Sequence, residues 1–167
     1  SHGKVVFTTN SSSGISDMDA GGGNEIAAGS WWHVVAVHDG VNDKIFINGV
    51  LKKSIAAAGA LNKTNHSLGI GYNPIDGGGN FNGSLDDLQI FNRALSDAEV
   101  LTLYGQQNQA PVYNGNLVAH YPFSNNGNDI TPYANNAIID GARPTMDRFG
   151  KSNQAYSFNN SKVTAVN

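Results

Sequence analysis

Apolar and polar residues alternate over short stretches of this chain, and turn residues separate the stretches. Lys4-Val5-Val6-Phe7-Thr8-Thr9 is a β-rich run, and a polar loop follows it as far as Gly21-Gly22-Gly23-Asn24. Trp31-Trp32-His33-Val34-Val35-Ala36-Val37-His38 is the strongest strand, with alternation and with aromatic and β-branched residues. Asp39-Gly40 and Asn42-Asp43 predict a turn. Lys44-Ile45-Phe46-Ile47 then leads through Asn48-Gly49 into Val50-Leu51-Lys52-Lys53-Ser54-Ile55. Asn-Gly between two apolar runs is a hairpin signal, because both residues tolerate positive φ. Further strands are predicted over 67–72 and 85–91, separated by the loop Asn73-Pro74-Ile75-Asp76-Gly77-Gly78-Gly79-Asn80.

Ser96-Asp97-Ala98-Glu99 has the pattern of a capping box, so a helix should start there. Ala98, Val100, Leu101 and Leu103 let it pack on one side, and it should end near Tyr104-Gly105. Gln106-Gln107-Asn108-Gln109-Ala110-Pro111 reads as a linker. Beyond it come a strand over 117–123, an Asn-rich loop over 124–136, a short strand over 137–139, a loop over 141–150 and a strand over 155–158. Many short strands with one short helix predict an all-β protein, a β-sandwich.

Composition supports this and removes several functions. The chain has 167 residues, 14% of them charged, and a formal net charge of −3, which argues against a nucleic-acid or polybasic membrane surface. Twenty glycines and abundant Asn suit turns and strands. With no Cys there is no disulfide framework, thiolate metal site or Cys nucleophile. No apolar run approaches the roughly 20 residues of a membrane helix, and no signal peptide is evident. Ser1-His2-Gly3 reads as a tag remnant on a piece of something longer.

Five blocks carry a resemblance. They are Trp-His-Val-Val-Ala-Val-His-Asp-Gly from residue 32, Ile-Asn-Gly-Val-Leu from 47, Leu-Gly-Ile-Gly from 68, Phe-Asn-Gly-Ser-Leu-Asp-Asp-Leu-Gln-Ile-Phe-Asn-Arg from 81, and the Ala-Leu-Ser-Asp-Ala-Glu-Val that continues it. In that order they resemble the second half of LamG-like jelly-roll domains of the concanavalin A-like lectin/glucanase superfamily. Leu-Val-Ala-His-Tyr-Pro-Phe from 117 and Asp-Arg-Phe-Gly-Lys-Ser-Asn-Gln-Ala-Tyr-Ser-Phe from 147 resemble the opening of the same family. The resemblance implies a two-sheet antiparallel jelly roll in permuted order. Residues 4–105 would be the C-terminal portion, 106–114 a linker and 115–167 an N-terminal portion completing the same sandwich. The family's next core strand would follow Asn167. The strand at 117–123 should then pair with 85–91, within one chain or by strand exchange between two copies.

Candidate chemistry is sparse. Glu occurs only at Glu25 and Glu99, and Glu99 belongs to the helix cap. A retaining glycosidase needs paired carboxylates about 5–5.5 Å apart, and the Glu-x-Asp-x-x-Glu run of the superfamily's hydrolases is missing, so a hydrolase is disfavoured. The five histidines have no helical ligand spacing and read as structural. The triple glycines lack a following helix and read as turns rather than phosphate loops. Asp17-x-Asp19-x-Gly21 resembles half of a calcium loop but lacks its closing Glu. Asp86 shares a face with Leu88 and Ile90, so its carboxylate should point inward and need a partner or an ion. In similar domains a structural calcium ties the first strand's loop to this late strand. Asp86 and Asp129 match those positions, with Asn125 and Asn128 as further oxygen donors, and the alternative is Asp86 bonded to loop N–H groups. The fold also implies sugar binding by exposed aromatics, for which Tyr72 with Asp76 in the adjoining loop, Tyr133 and Trp31 are candidates. One of Trp31 and Trp32 must be buried, because neighbours on a strand face opposite ways.

The expectation is a non-catalytic binding module of a larger secreted or bacterial cell-surface protein, with a glycan or a cell-surface protein as partner. It involves no nucleic acid and no membrane insertion. A structural spacer repeat is the rival. Asn-x-Ser/Thr sequons at Asn10, Asn62, Asn65, Asn82 and Asn159 are what chance gives in an Asn-rich chain.

Overall fold

The computed structural model describes residues 2–20, 26–105 and 116–165. The chain forms two compact units. One comprises 1–63 and 93–111, the other 64–92 and 112–167. Glu25 and the whole linker at 106–114 lie outside the described residues.

The first unit holds β1 (His2–Gly3), β2 (Val6–Ser11), β3 (Gly14–Asp19), β4 (Ile26–Ala27), β5 (Val34–His38), β6 (Asn42–Ile47), β7 (Val50–Ala56) and the helix α1 (Asp97–Gly105). Three antiparallel sheets organise it: β1–β4, β2–β3 and β5–β6–β7. The β6–β7 hairpin closes on Asn48 and Gly49, with φ of 51° and 75° and Ile47 facing Val50. Both turn residues take the left-handed conformation that the Asn-Gly pair favours. A Cβ at Gly49 would lie 3.1 Å from Tyr104 Cδ1 and 3.2 Å from Leu101 Cδ1, so α1 packs down on this turn. Met18, Ala20, Ile45 and Ile47 form the core, with Val5, Phe7, Ile26, Trp32 and Ile55 packed on it. Trp32 is thus the inner tryptophan, and its indole N–H donates to the Ala27 carbonyl at 3.1 Å. Trp31 is exposed. Both precede β5 instead of lying in it.

The capping box forms as its spacing requires. The Ser96 N–H donates to Glu99 Oε2 at 2.8 Å, and the Glu99 N–H donates to Ser96 Oγ at 3.3 Å. Arg93 adds a two-pronged contact to the same carboxylate, at 2.9 and 2.5 Å. Arg93 and Ser96 together hold Glu99 down to about 2.

The polar stretch after β2 is a strand, not a loop. β3 pairs with β2 from Ser11↔Gly14 to Val6↔Asp19, and within β3 only Met18 is fully buried. A strand with one core residue has too little apolar alternation to be read from sequence.

The second unit holds β8 (Leu68–Ile70), β9 (Gly83–Leu85), β10 (Leu88–Phe91), β11 (Leu117–Tyr121), β12 (Ala137–Asp140), β13 (Arg143–Thr145), β14 (Ala155–Phe158) and β15 (Lys162–Ala165). Its antiparallel sheets are β12–β15–β8, β13–β14–β9 and β10–β11. The ladder expected between 85–91 and 117–123 is present over part of that span: Leu88 faces Tyr121, Ile90 faces Ala119 and, after a register shift, Phe91 faces Leu117. The single strand expected over 85–91 is broken at Asp86-Asp87. Asp87 has φ 51°, so the chain turns a corner there and passes from the β14 ladder to the β11 ladder. Tyr121, Phe123, Tyr156, Phe158 and Val163 centre the core, with Tyr121 stacked on Phe123 and Phe123 edge-on to Tyr156. Gly127 is required by close approach, because a Cβ there would collide with the Ala137 carbonyl, and the Ala137 N–H donates to the Gly127 carbonyl at 2.7 Å.

Candidate functional site

Asp129 organises the loop between β11 and β12. Its Oδ1 accepts from the backbone N–H groups of His120 and Thr131, both at 2.9 Å. Its Oδ2 accepts from Thr131 Oγ1 at 2.9 Å and from the Asn135 N–H at 3.0 Å. Burial opposes the charge, but these donors outweigh it and hold the carboxyl below the ordinary carboxylate range. Further bonds knit the same loop: Ile130 N–H to the His120 carbonyl, Tyr121 Oη to the Asn135 carbonyl, and Asp129 N–H to Asn136 Oδ1. The loop's interior is fixed while Ile130 and Tyr133 stand out from it, 48% and 57% exposed.

The second feature is the corner at Asp86-Asp87. Arg148 donates from Nη1 to Asp86 Oδ2 at 2.5 Å and from Nη2 to Asp87 Oδ2 at 2.6 Å. Asp87 Oδ1 lies 3.1 Å from Nε2 of the buried His120. Burial, and then the neighbouring Asp87, push Asp86 up to about 6 against the pull of Arg148. Burial works on Asp87 in the same sense, but hydrogen bonds from His120 and Arg148 prevail and lower it.

The residues expected to hold calcium do not fit the ion as they are placed. A carboxylate offers about four lone-pair directions, and protein donors fill four on Asp129. Asp86 does point inward as expected, and its partner there is the Arg148 guanidinium, not loop N–H groups. Asn125 and Asn128 are exposed on the 124–128 stretch, where the Asn128 N–H donates to Asn126 Oδ1. Among the described residues no group of three or more His, Asp or Glu side chains is arranged to hold a metal ion. At the other candidate calcium loop, Asp17 accepts from Thr8 Oγ1 at 2.8 Å and Asp19 pairs with Lys4 and Lys53.

The ligand-binding candidates lie on separate loops. Tyr72 Oη is 2.8 Å from Thr164 Oγ1, and Lys162 Nζ sits 5.9 Å from its ring centre. Asp76 is exposed and accepts from the Gly78 N–H at 2.8 Å, shaping the glycine-rich loop. Tyr133 stands on the Asp129 loop. Tyr72, Asp76 and Tyr133 all belong to the second unit, and Trp31 belongs to the first.

One polar cluster is not foreshadowed by any motif in the sequence. In the first unit His38 Nδ1 is 2.8 Å from Oδ1 of the fully buried Asp43, and His38 Nε2 is 2.8 Å from the Gly59 carbonyl. Thr9 Oγ1 donates to Asp43 Oδ2 at 2.7 Å. A turn at 39–42 places His38 directly across from Asp43, which is the signal that could have found the pair. Nε2 meets a carbonyl and not a hydroxyl, so the group is an internal ion pair, not a nucleophile–base pair.

These elements define a class of protein: all-β, built from antiparallel sheets, with its buried acids engaged by internal donors. The sequence model of the concanavalin A-like lectin/glucanases superfamily, laminin G type, matches residues 1–101. The chain belongs to that family. LamG-like domains are generally non-catalytic. No curated protein and no solved structure matches the chain. No helix among the described residues is long and apolar enough to cross a membrane.

Proposed function

We propose that the protein is a binding module whose ligand is a glycan displayed outside the cell, and that it belongs to a larger secreted or surface-attached protein. The observation that supports this is the Asp129 loop. Its polar groups are bonded inward, and an aromatic ring that contributes little to the core is held outward at a fixed place. A preorganised aromatic presents a large contact area at low entropic cost, the requirement for stacking on a sugar face. Tyr72, beside Lys162 on a separate loop, is a second candidate contact. The absence of the paired Glu residues of the superfamily's hydrolases supports binding without turnover.

A glycan array probed with the wild type and with Tyr133→Ala tests the reading. The expected result is binding to a restricted set of glycans that Tyr133→Ala weakens at least tenfold without moving the melting temperature. A wild-type protein that binds no glycan on the array favours the spacer reading and overturns this one.

A further inference from the structure

The corner between β9 and β10 carries two adjacent carboxylates in the heart of the second unit. Asp86 has a side chain only 7% exposed, and Asp87 one 34% exposed. Two like charges so placed need a counter-charge, and Arg148 supplies it. One fork of its guanidinium reaches each carboxylate.

The loop that carries Arg148 is built to hold it there. Asp147 Oδ1 accepts from the Phe149 and Lys151 N–H groups, both at 2.8 Å, and the Asp147 N–H donates to the Lys151 carbonyl. The guanidinium carbon lies 4.6 Å from the Phe149 ring centre, a stacking distance. From Asp87 the contacts continue through the His120 ring to β11, and from the His120 N–H to Asp129. Three distant stretches of sequence are thereby tied together: the 86–87 corner, the 146–151 loop and the loop that presents Tyr133.

We infer that Arg148 is the internal cation of this corner, in the place that the family resemblance assigns to a structural calcium ion, and that the fold and the Asp129 loop stand without divalent metal. Two observations support this independently. The carboxylate oxygens facing Arg148 already have a positive partner, and a divalent ion on them would sit against the guanidinium. On the other side, the four acceptor directions of Asp129 are filled by the protein's own donors. A planar fork also does what a point charge does not, since it fixes both carboxylates at once.

The test is a double-mutant cycle with a metal titration. In the wild type, melting in millimolar calcium and in excess EDTA should agree within about 1 °C, and terbium luminescence should detect no tight site. Arg148→Gln should raise the unfolding constant by about ten- to a hundredfold, reduced from the full cost of a buried pair because Asp87 is part-exposed. Arg148→Lys should recover only part of this, because an ammonium lacks the fork. In an Asp86→Asn/Asp87→Asn background the Arg148→Gln effect should shrink to about twofold or less. A wild type stabilised several degrees by calcium overturns the inference. So does an Arg148→Gln cost that persists when both acids are neutral, since that would be packing and not charge. If Arg148→Gln does not fold, the wild-type titration and the Arg148→Lys measurement decide. Loss of glycan binding in any variant bears on the proposed function and not on this inference.

Discussion

The His38–Asp43 pair makes a pH-dependent prediction whose sign follows from geometry. Each ring nitrogen of His38 lies 2.8 Å from an atom that only accepts: Asp43 Oδ1 on one side and the Gly59 carbonyl on the other. An imidazole satisfies both only when it carries two protons. The hydrogen bond to Asp43 is the largest influence on His38 and raises its pKa above 6.5, with burial opposing and the Gly59 carbonyl and the charges of Asp43 and Asp39 assisting. Burial works against ionised Asp43, but the hydrogen bonds from Thr9 and His38 overcome it and lower its pKa. For His38, the stabilisation is fully present below about pH 6.5 and is lost as pH rises through the folded-state pKa. For Asp43 it is present above the unfolded-state value near 4 and is lost as pH falls through the folded-state pKa. The side chains are 8% and 0% exposed, so removing one partner leaves a buried charge or a buried unpaired acceptor. Asp43→Asn should therefore cost about 3 kcal/mol or more near pH 6. Urea unfolding of the wild type and of His38→Gln from pH 5.5 to 9.5 isolates the His38–Asp43 pair, since titrating groups not coupled to it cancel in the difference. That difference should be largest at the acid end and shrink as pH rises. Nitrogen chemical shifts of His38 should show the doubly protonated ring persisting to higher pH than in a free histidine. A difference that stays flat across this range, or a ring that loses its second proton earlier than a free histidine, would refute the reasoning.

Three further outcomes follow from other parts of the molecule. Asp129→Ala removes four accepted hydrogen bonds from a buried loop. It should cost about 3 kcal/mol or more and should speed amide exchange at Thr131 and Asn135, read by hydrogen-exchange mass spectrometry. Ser96→Ala deletes the cap of α1 and should cost about 1 kcal/mol in urea unfolding; no measurable loss would mean that the capping bonds contribute nothing. Phe123→Ala, at a site with 0% exposure between Tyr121 and Tyr156, should cost about 3–5 kcal/mol.

Features set by residues close in sequence are legible in the chain itself. The Asn48-Gly49 turn and the Ser96-to-Glu99 cap involve two and four consecutive residues, and their chemistry selects one local geometry. The strands with two apolar positions on one face are also legible, among them β5, β6 and β11. What escapes depends on remote partners. β3 contributes little but Met18 to the core and is a strand because β2 pairs with it. β13 contains Pro144, and β15 carries alternation too short to stand out. The candidate site divides in the same way. That Asp86 points inward follows from its place beside Leu88 and Ile90, but its partner, Arg148, is 62 residues away. Nothing in the spacing of Asp86, Asp129, Asn125 and Asn128 reveals that Asp129 finds its donors within its own loop and the neighbouring strand.

The pairing of 64–92 with 112–167 makes a last prediction. Three ladders join the two stretches: β8 with β15, β9 with β14 and β10 with β11. The apolar contacts join them too, because Ile70, Leu85, Leu88 and Ile90 pack against Ala119, Tyr121, Phe158 and Val163 in one core. Residues 112–167 should therefore behave as part of the structure that precedes them and not as a separate domain. A protease site placed after Gln109 and cut in the folded protein should leave the two fragments associated. Cutting replaces an intramolecular contact at about millimolar effective concentration by a bimolecular one. At about 10 μM protein that is roughly a hundredfold, or about 2.7 kcal/mol, too little to separate three ladders and a shared core under native conditions. The fragments should co-elute on size exclusion in buffer and separate in concentrated urea. The melting temperature of the cut protein should rise with concentration, while that of the uncut chain should not. Fragments that part in native buffer, each keeping its own cooperative melt, would show that the two stretches fold independently and would refute the shared core.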